Sequence, residues 1–278
     1  MFARSATPLS DLAFRRIRQF FFRHSGIDLP ESKRHLVAGR LRGRLASLGL
    51  DCYEAYFALI GQADQAAERQ FLIDALTTNE TYFFREPQHF QLLAREILPS
   101  LAGRRPRLWC AAASSGEEPY SLAMVLSDQL GLDNWELLAS DLSSRTLQRA
   151  ASGLYPMQRL EQFPDAYLKR FCLKGHGEYA GQLLIRRELR ERVQLRQHNL
   201  MDSARDLGKF DVIFLRNVMI YFNLEVKRRV MAQLLPQLNP GGWLILGHAE
   251  SLFGVDTPLI PISPSVFRLP KAPARKAR

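Results

Sequence analysis

Residues 108–122 read LWCAAASSGEEPYSL: a short apolar run, a turn of small residues, then two carboxylates and a proline that open a helix. A chain that passes from strand through a tight turn into helix is built for a sheet covered by helices. Nucleotide-binding sheets use such a turn to hold phosphate with glycine amides and a lysine. Here the turn offers Glu117 and Glu118 instead. Acidic groups suit a ligand with hydroxyls and positive charge. S-adenosylmethionine fits that description, having a ribose, an ammonium, a sulfonium and no phosphate.

The pattern around this segment supports the same architecture. From about residue 105 strands alternate with helices. Strands are predicted at Arg107–Ala112, Glu136–Ser140, Val193–His198, Phe210–Leu215 and Trp243–Gly247, with Val266–Leu269 as a terminal edge strand. Helices are predicted at Glu118–Leu130, Ser144–Ala151 and Leu224–Leu235, the last capped by Asn223. The alternation implies a parallel sheet with helices on both faces, and such sheets bind ligands at the carboxyl ends of their strands. Gly153–Glu191 is too long for an ordinary crossover. It reads as a helix around Asp165–Phe171 followed by a small β-hairpin within Lys174–Arg187.

Residues 9–77 read as helical. Leu9, Leu12, Phe14, Ile17, Phe20 and Phe21 recur at helical spacing, and Pro30-Glu31 opens a second segment with Leu36, Val37, Leu41, Leu45 and Leu48 on one face. Gly49 ends that segment, and shorter helices follow near Tyr53–Ile60 and Ala66–Leu76. The net charge of +10 is concentrated at this end. Residues 1–50 hold ten basic and three acidic side chains, against three and eight in residues 51–100. Lys33, Arg34, Arg40, Arg42 and Arg44 project from the second segment. They read either as a docking face for an acidic partner or as a solvated face. The tail Lys271–Arg278 is basic and reads as disordered.

Three distant cysteines, Cys52, Cys110 and Cys172, form neither a metal pattern nor a disulfide framework, which points to the cytoplasm. The six histidines show no metal-ligand spacing, and no run of about 18 apolar residues predicts a membrane span.

Four groups of residues are candidates for chemistry. Asp141 closes the second strand, where an acid takes ribose hydroxyls; its other reading is a helix N-cap. Glu117 and Glu118 face the ligand, unless Ser115 and Glu118 form a capping box. Residues 77–85, TTNETYFFR, join the helical and sheet parts, and the planar fork of Arg85 suits a carboxylate. Arg216–Phe222, RNVMIYF, follows the fourth strand in place of the N-P-P-Y pattern of many amino-methylating nucleic-acid enzymes, and His198-Asn199-Leu200 ends the third.

Together TTNETYFFRE, LWCAAASSGEEPYSLA, ASDLS, ASGLYP, FDVIFLRNVMIYFN and PGGWLILGHAES resemble the chemotaxis receptor glutamate O-methyltransferases, the CheR family. The resemblance implies an α/β protein. A Rossmann-like, doubly wound methyltransferase sheet domain (105–270) would carry an inserted β-subdomain at about 172–190. A small all-helical domain (1–77) and a linker with a first helix (78–104) would precede it. The family's S-adenosylmethionine contacts carry over onto Asn79, Thr81, Arg85, Glu118, Asp141, Asn199, Leu200, Arg216 and Asn217, with the choice of Glu118 over Glu117 open by one residue. Arg85 and Tyr221 would sit at the acceptor carboxylate, and no metal takes part.

The implied reaction esterifies receptor glutamates and leaves S-adenosylhomocysteine. A glutamate, with a pKa of about 4.3, is already ionised at neutral pH, so no general base is needed. The implied partners are the methylation helices of chemoreceptors, met by the basic helix Glu31–Leu48. A receptor C-terminal pentapeptide would add as a strand to the β-subdomain, whose Lys174–Gly181 turn resembles that of tethering relatives. A monomer without nucleic acid or membrane insertion is expected. The competing classes are a nucleic-acid methyltransferase and a noncatalytic binding module.

Overall fold

Ser10 starts the first helix by accepting a hydrogen bond from the Ala13 N–H at 3.1 Å. In this computed structural model the described residues are 8–160 and 162–271, without the side chain of residue 159. Of the expected disordered tail Lys271–Arg278, residues 272–278 lie outside them. Two units are distinguished, Met1–Thr78 with Tyr221–Asn223, and Asn79–Ile220 with Leu224–Arg278.

In the helical unit, α1 (Asp11–Ser25) buries Phe14, Ile17, Phe20 and Phe21. Leu12, on the opposite side of the helix from Phe14, stays 48% exposed. A 3-10 turn at Glu31–Lys33 leads into α2 (Arg34–Ser47), which buries Val37, Leu41 and Leu45. Helices α3 (Tyr53–Ile60) and α4 (Ala66–Leu76) complete the unit. The basic face expected on Glu31–Leu48 is largely consumed by internal bonds. Arg44 pairs with the buried carboxylate of Glu68, which also accepts from the Tyr56 hydroxyl at 2.8 Å. Arg40 donates to the carbonyls of Leu76 and Thr77 at 2.8 and 3.0 Å, where α4 ends and has spare acceptors. Arg34 pairs with Asp11 and Glu31 at 2.6 and 2.5 Å. Lys33 and Arg42 are the members of that set that stand exposed.

The sheet unit opens with α5 (Pro87–Leu92), extended through a π-helical turn at Leu93–Ile97 into α6 (Leu98–Ser100). Strands β1 (Arg107–Cys110), β2 (Glu136–Asp141), β6 (Val193–Gln197), β7 (Phe210–Leu215) and β8 (Leu238–Leu246) lie parallel. With β10 (Val266–Arg268) and β9 (Ile260–Ser263) they form a sheet of order β6-β2-β1-β7-β8-β10-β9. The last two run antiparallel to their neighbours. Helices α7 (Glu117–Leu130), α8 (Ser144–Ser152) and α11 (Leu224–Leu234) follow β1, β2 and β7. The strand order reverses direction at β1, which makes its carboxyl end, beside that of β7, the switch point.

The terminal strand differs from expectation. Val266–Arg268 is not the edge; β9 pairs outside it. Every residue of β9 is exposed and it contains Pro261, so it carries no alternation to betray a strand. The insertion is also larger than a hairpin. Strand β5 (Gln182–Ile185) is flanked by β4 (Cys172–Lys174) and by β3 (Leu154–Pro156), which comes from before helix α9 (Asp165–Phe171). Short helix α10 (Arg187–Arg190) follows β5.

Candidate active site

The turn after β1 is tied to the end of β2. The Ser114 N–H donates to Asp141 Oδ2 at 2.8 Å, and the Ser143 N–H donates to Oδ1 at 2.8 Å. Ser114 Oγ donates to the carbonyl of Asn79 at 3.2 Å, so the first sheet-unit residue meets the same turn. Neither capping reading is realised. Ser143 caps α8, its side chain accepting from Thr146 N. Gly116, in left-handed conformation at φ 102, precedes α7, and Ser115 Oγ donates to Glu117 at 2.7 Å. A side chain on Gly116 would also run into the Tyr155 hydroxyl, 2.5 Å from its Cβ.

At the switch point Glu118 and Arg216 form a buried pair, Arg216 Nη1 to Glu118 Oε2 at 2.5 Å. The Cys110 thiol, at the end of β1, donates to the other Glu118 oxygen at 3.2 Å. Burial and the adjacent Glu118 charge push that thiol well above its ordinary pKa. Arg216 Nη2 also donates to the Arg85 carbonyl at 2.6 Å and to Glu86 at 2.9 Å. Burial opposes the guanidinium charge, but Glu118 and Glu86 override it and raise the Arg216 pKa. Burial would likewise raise Glu86; Arg216, Asn217 and the His248 N–H pull it below its ordinary value.

Glu86 and Glu250 are site residues that sequence reasoning passed over, although both lie inside motifs quoted for the resemblance. Glu250 is buried and accepts from the N–H groups of Asn217, Met219 and Gly247 at 2.7, 2.6 and 2.6 Å. Asn217 sits at φ 58 and its side-chain amide donates to Glu86 at 3.3 Å. His89, on α5, is buried and neutral: burial, then the Arg216 charge, lowers its pKa to about 4.

The remaining predicted residues are dispersed. Thr81 is half-buried beside Asn79 in sequence. Arg85 donates to the Glu80 carbonyl at 3.1 Å and lies over the Tyr82 ring. Asn199, after β6, accepts from the Met201 N–H at 3.1 Å, and Leu200 between them is half-buried. Tyr221 is half-buried at the end of the 3-10 turn Met219–Tyr221 and groups with the helical unit.

Residues 79–266 match the family described as "CheR methyltransferase, SAM binding domain", and residues 12–77 match "CheR methyltransferase, all-alpha domain". The chain belongs to the CheR methyltransferase family. Among its relatives is a chemotaxis protein methyltransferase of Salmonella typhimurium, 41% identical over 249 residues, covering 87% of this chain and 85% of that protein. Chemotaxis protein methyltransferase 2 of Pseudomonas aeruginosa is 42% identical over 242 residues and 86% of each chain. Its namesake in Vibrio cholerae is 37% identical over 259 residues, 88% and 87% of the two chains.

The donor set of this CheR-family chain fits S-adenosylmethionine. Acids stand at the start of α7 and at the end of β2, and the β1–α7 turn holds no lysine for a phosphate. Tertiary contact also gathers Glu86, His89 and His248, whose ligand-type atoms lie within 4.8 Å of one another. Sequence spacing gave no hint of this group. Its carboxylate accepts hydrogen bonds from Arg216, Asn217 and the His248 N–H.

Proposed function

We propose that this protein esterifies glutamate side chains of chemotaxis receptors, adjusting receptor output during adaptation. S-adenosylmethionine supplies the methyl group on a cationic sulfonium. Asp141 would hold the ribose hydroxyls, and Glu118 is the acid offered to the cationic end. Asn79, Thr81, Asn199, Leu200 and Asn217 complete the proposed cofactor contacts. Arg216 enters this reading through Glu118, because its Nη donors go to Glu118, Glu86 and the Arg85 carbonyl.

The observation that carries the substrate class is Arg85. Its guanidinium donates to the Glu80 carbonyl at 3.1 Å and lies over the Tyr82 ring, so its fork can turn to a carboxylate at little cost. The acceptor arrives ionised, so the reading requires no general base. The protein's task is alignment and exclusion of water. For Tyr221 the assignment to the acceptor rests on the motif. Methylation helices are the proposed partner, with a receptor C-terminal pentapeptide as an added strand on the three-stranded sheet, and a cytoplasmic monomer as the working form.

A filter assay with tritiated methyl donor, run in parallel on receptor-bearing membranes, RNA and DNA, tests this. Base-labile label in the receptor fraction is expected, because methyl esters hydrolyse in alkali. Label confined to RNA or DNA, or stable to alkali, would overturn the reading.

A further inference from the structure

The turn after β7 carries Arg216 and Asn217 and leads into the 3-10 turn Met219–Tyr221. Its N–H groups converge on one carboxylate. Glu250 Oε1 accepts from Met219 and Ile220 at 2.6 and 3.3 Å. Oε2 accepts from Asn217 at 2.7 Å and from Gly247, at the end of β8, at 2.6 Å. Backbone N–H groups gathered around a left-handed residue form an anion-binding nest, and here Asn217 is that residue. The anion is supplied by the chain itself.

We propose that Glu250 is a positioning residue for methyl transfer: its carboxylate fixes the Asn217–Ile220 turn, and through it the Asn217 side chain, in the geometry the reaction needs. This rests on the proposed function in placing Asn217 at the cofactor. Glu86 holds Asn217 from the other side, by its side-chain amide, so the residue is gripped at backbone and side chain by two different carboxylates.

The nest demands a carboxylate. A glutamine keeps one acceptor oxygen, but whichever way its amide is turned, the NH2 faces two N–H donors. The approach is also close. A Cβ on Gly247 would lie 2.6 Å from Asn217 Nδ2 and 2.9 Å from Glu250 Oε2, so a side chain there would press on the Asn217 amide and the Glu250 carboxylate themselves.

The test compares wild type with Glu250→Gln and Gly247→Ala. In folded Glu250→Gln, kcat on receptor-bearing membranes is expected to fall by about tenfold or more, with receptor KM within about twofold, because charge-assisted bonds are lost from the turn and not from the docking surface. S-adenosylhomocysteine binding, by calorimetry, is expected to weaken at least about threefold. Gly247→Ala is expected to show the same split. A folded variant of either kind with wild-type kcat and wild-type cofactor affinity would overturn the inference. Hydrogen exchange on the wild-type protein needs no variant to fold. The Asn217 and Met219 amides should exchange slowly, and fast exchange there would overturn it too. A wild-type protein that leaves receptors unlabelled would sink the proposed function instead, while the exchange and calorimetry still judge the hold of Glu250 on the turn.

Discussion

Glu118 and Arg216 stand 98 residues apart in the chain and meet at 2.5 Å in the interior, one at the start of α7 and the other directly after β7. The parallel pairing of β1 with β7 brings their ends together. Arg216 then serves two acids, Glu118 and Glu86.

Replacing Arg216 should be severe. Arg216→Met leaves two buried carboxylates without their counter-charge, and breaking such a pair costs about 3–5 kcal/mol. Arg216→Lys should recover little, because a point charge cannot span Glu118, Glu86 and the Arg85 carbonyl together. Urea denaturation measures both; a loss below about 1 kcal/mol for Arg216→Met would show that the acids neutralise themselves by taking up protons.

Asp141→Ala should weaken S-adenosylhomocysteine binding by about tenfold or more, since charge-assisted hydrogen bonds contribute roughly 1.5–3 kcal/mol each. Part of that loss would come from releasing the Ser114 N–H and with it the β1 turn. Calorimetric titration of a folded variant checks it, and unchanged affinity removes Asp141 from the ribose.

Arg85→Ala should separate activity from stability. Its side chain contributes one bond to the Glu80 carbonyl and a ring contact with Tyr82, so stability should change by no more than about 1 kcal/mol. Turnover on receptors should fall at least about tenfold if the fork meets the acceptor carboxylate. Wild-type turnover in the folded variant would make Arg85 a linker residue.

The basic helix divides into structural and exposed charges. Arg44→Ala strands the buried Glu68 carboxylate and should cost roughly 1–3 kcal/mol in thermal or chemical unfolding. Lys33 and Arg42, both exposed, should leave stability unchanged when neutralised together, yet slow receptor methylation and flatten its salt dependence. An unaltered salt dependence would return them to a solvated face.

His89 should impose an acid limit on stability. Its pKa is about 4 in the fold against an ordinary 6.5, so the unfolded chain binds the proton more readily. Its stability contribution is complete above about pH 6.5 and is lost as pH falls from there towards about 4, amounting to roughly 2 kcal/mol by pH 5. A folded His89→Gln variant should show a flatter stability profile over that range in denaturant titrations. An identical slope would assign the acid sensitivity to other groups.

Some features were legible from local pattern alone. Helix Asp165–Phe171 and strand Phe210–Leu215 coincide with their sequence readings, because an acid and a proline at a helix start, or an unbroken apolar run, need no distant partner to be recognised. Other features were not. Strand β9 was missed because it is exposed on both faces, and β3 because its partner β5 lies across an intervening helix.

Order along the chain, residue chemistry and periodicity determined the alternation of strands and helices and the acids after β1 and β2. Tertiary structure alone decided which charges face each other. Arg40 and Arg44 read as surface cations until the Leu76 carbonyl and the Glu68 carboxylate arrive beside them. Glu250 and Glu86 carry no signal in the sequence, and only the sheet delivers the Asn217 turn between them. The reason is physical. Periodicity records which side of an element is apolar, whereas a hydrogen bond between residues 98 or 130 positions apart depends on how separate elements pack, and that is written in no single stretch of sequence.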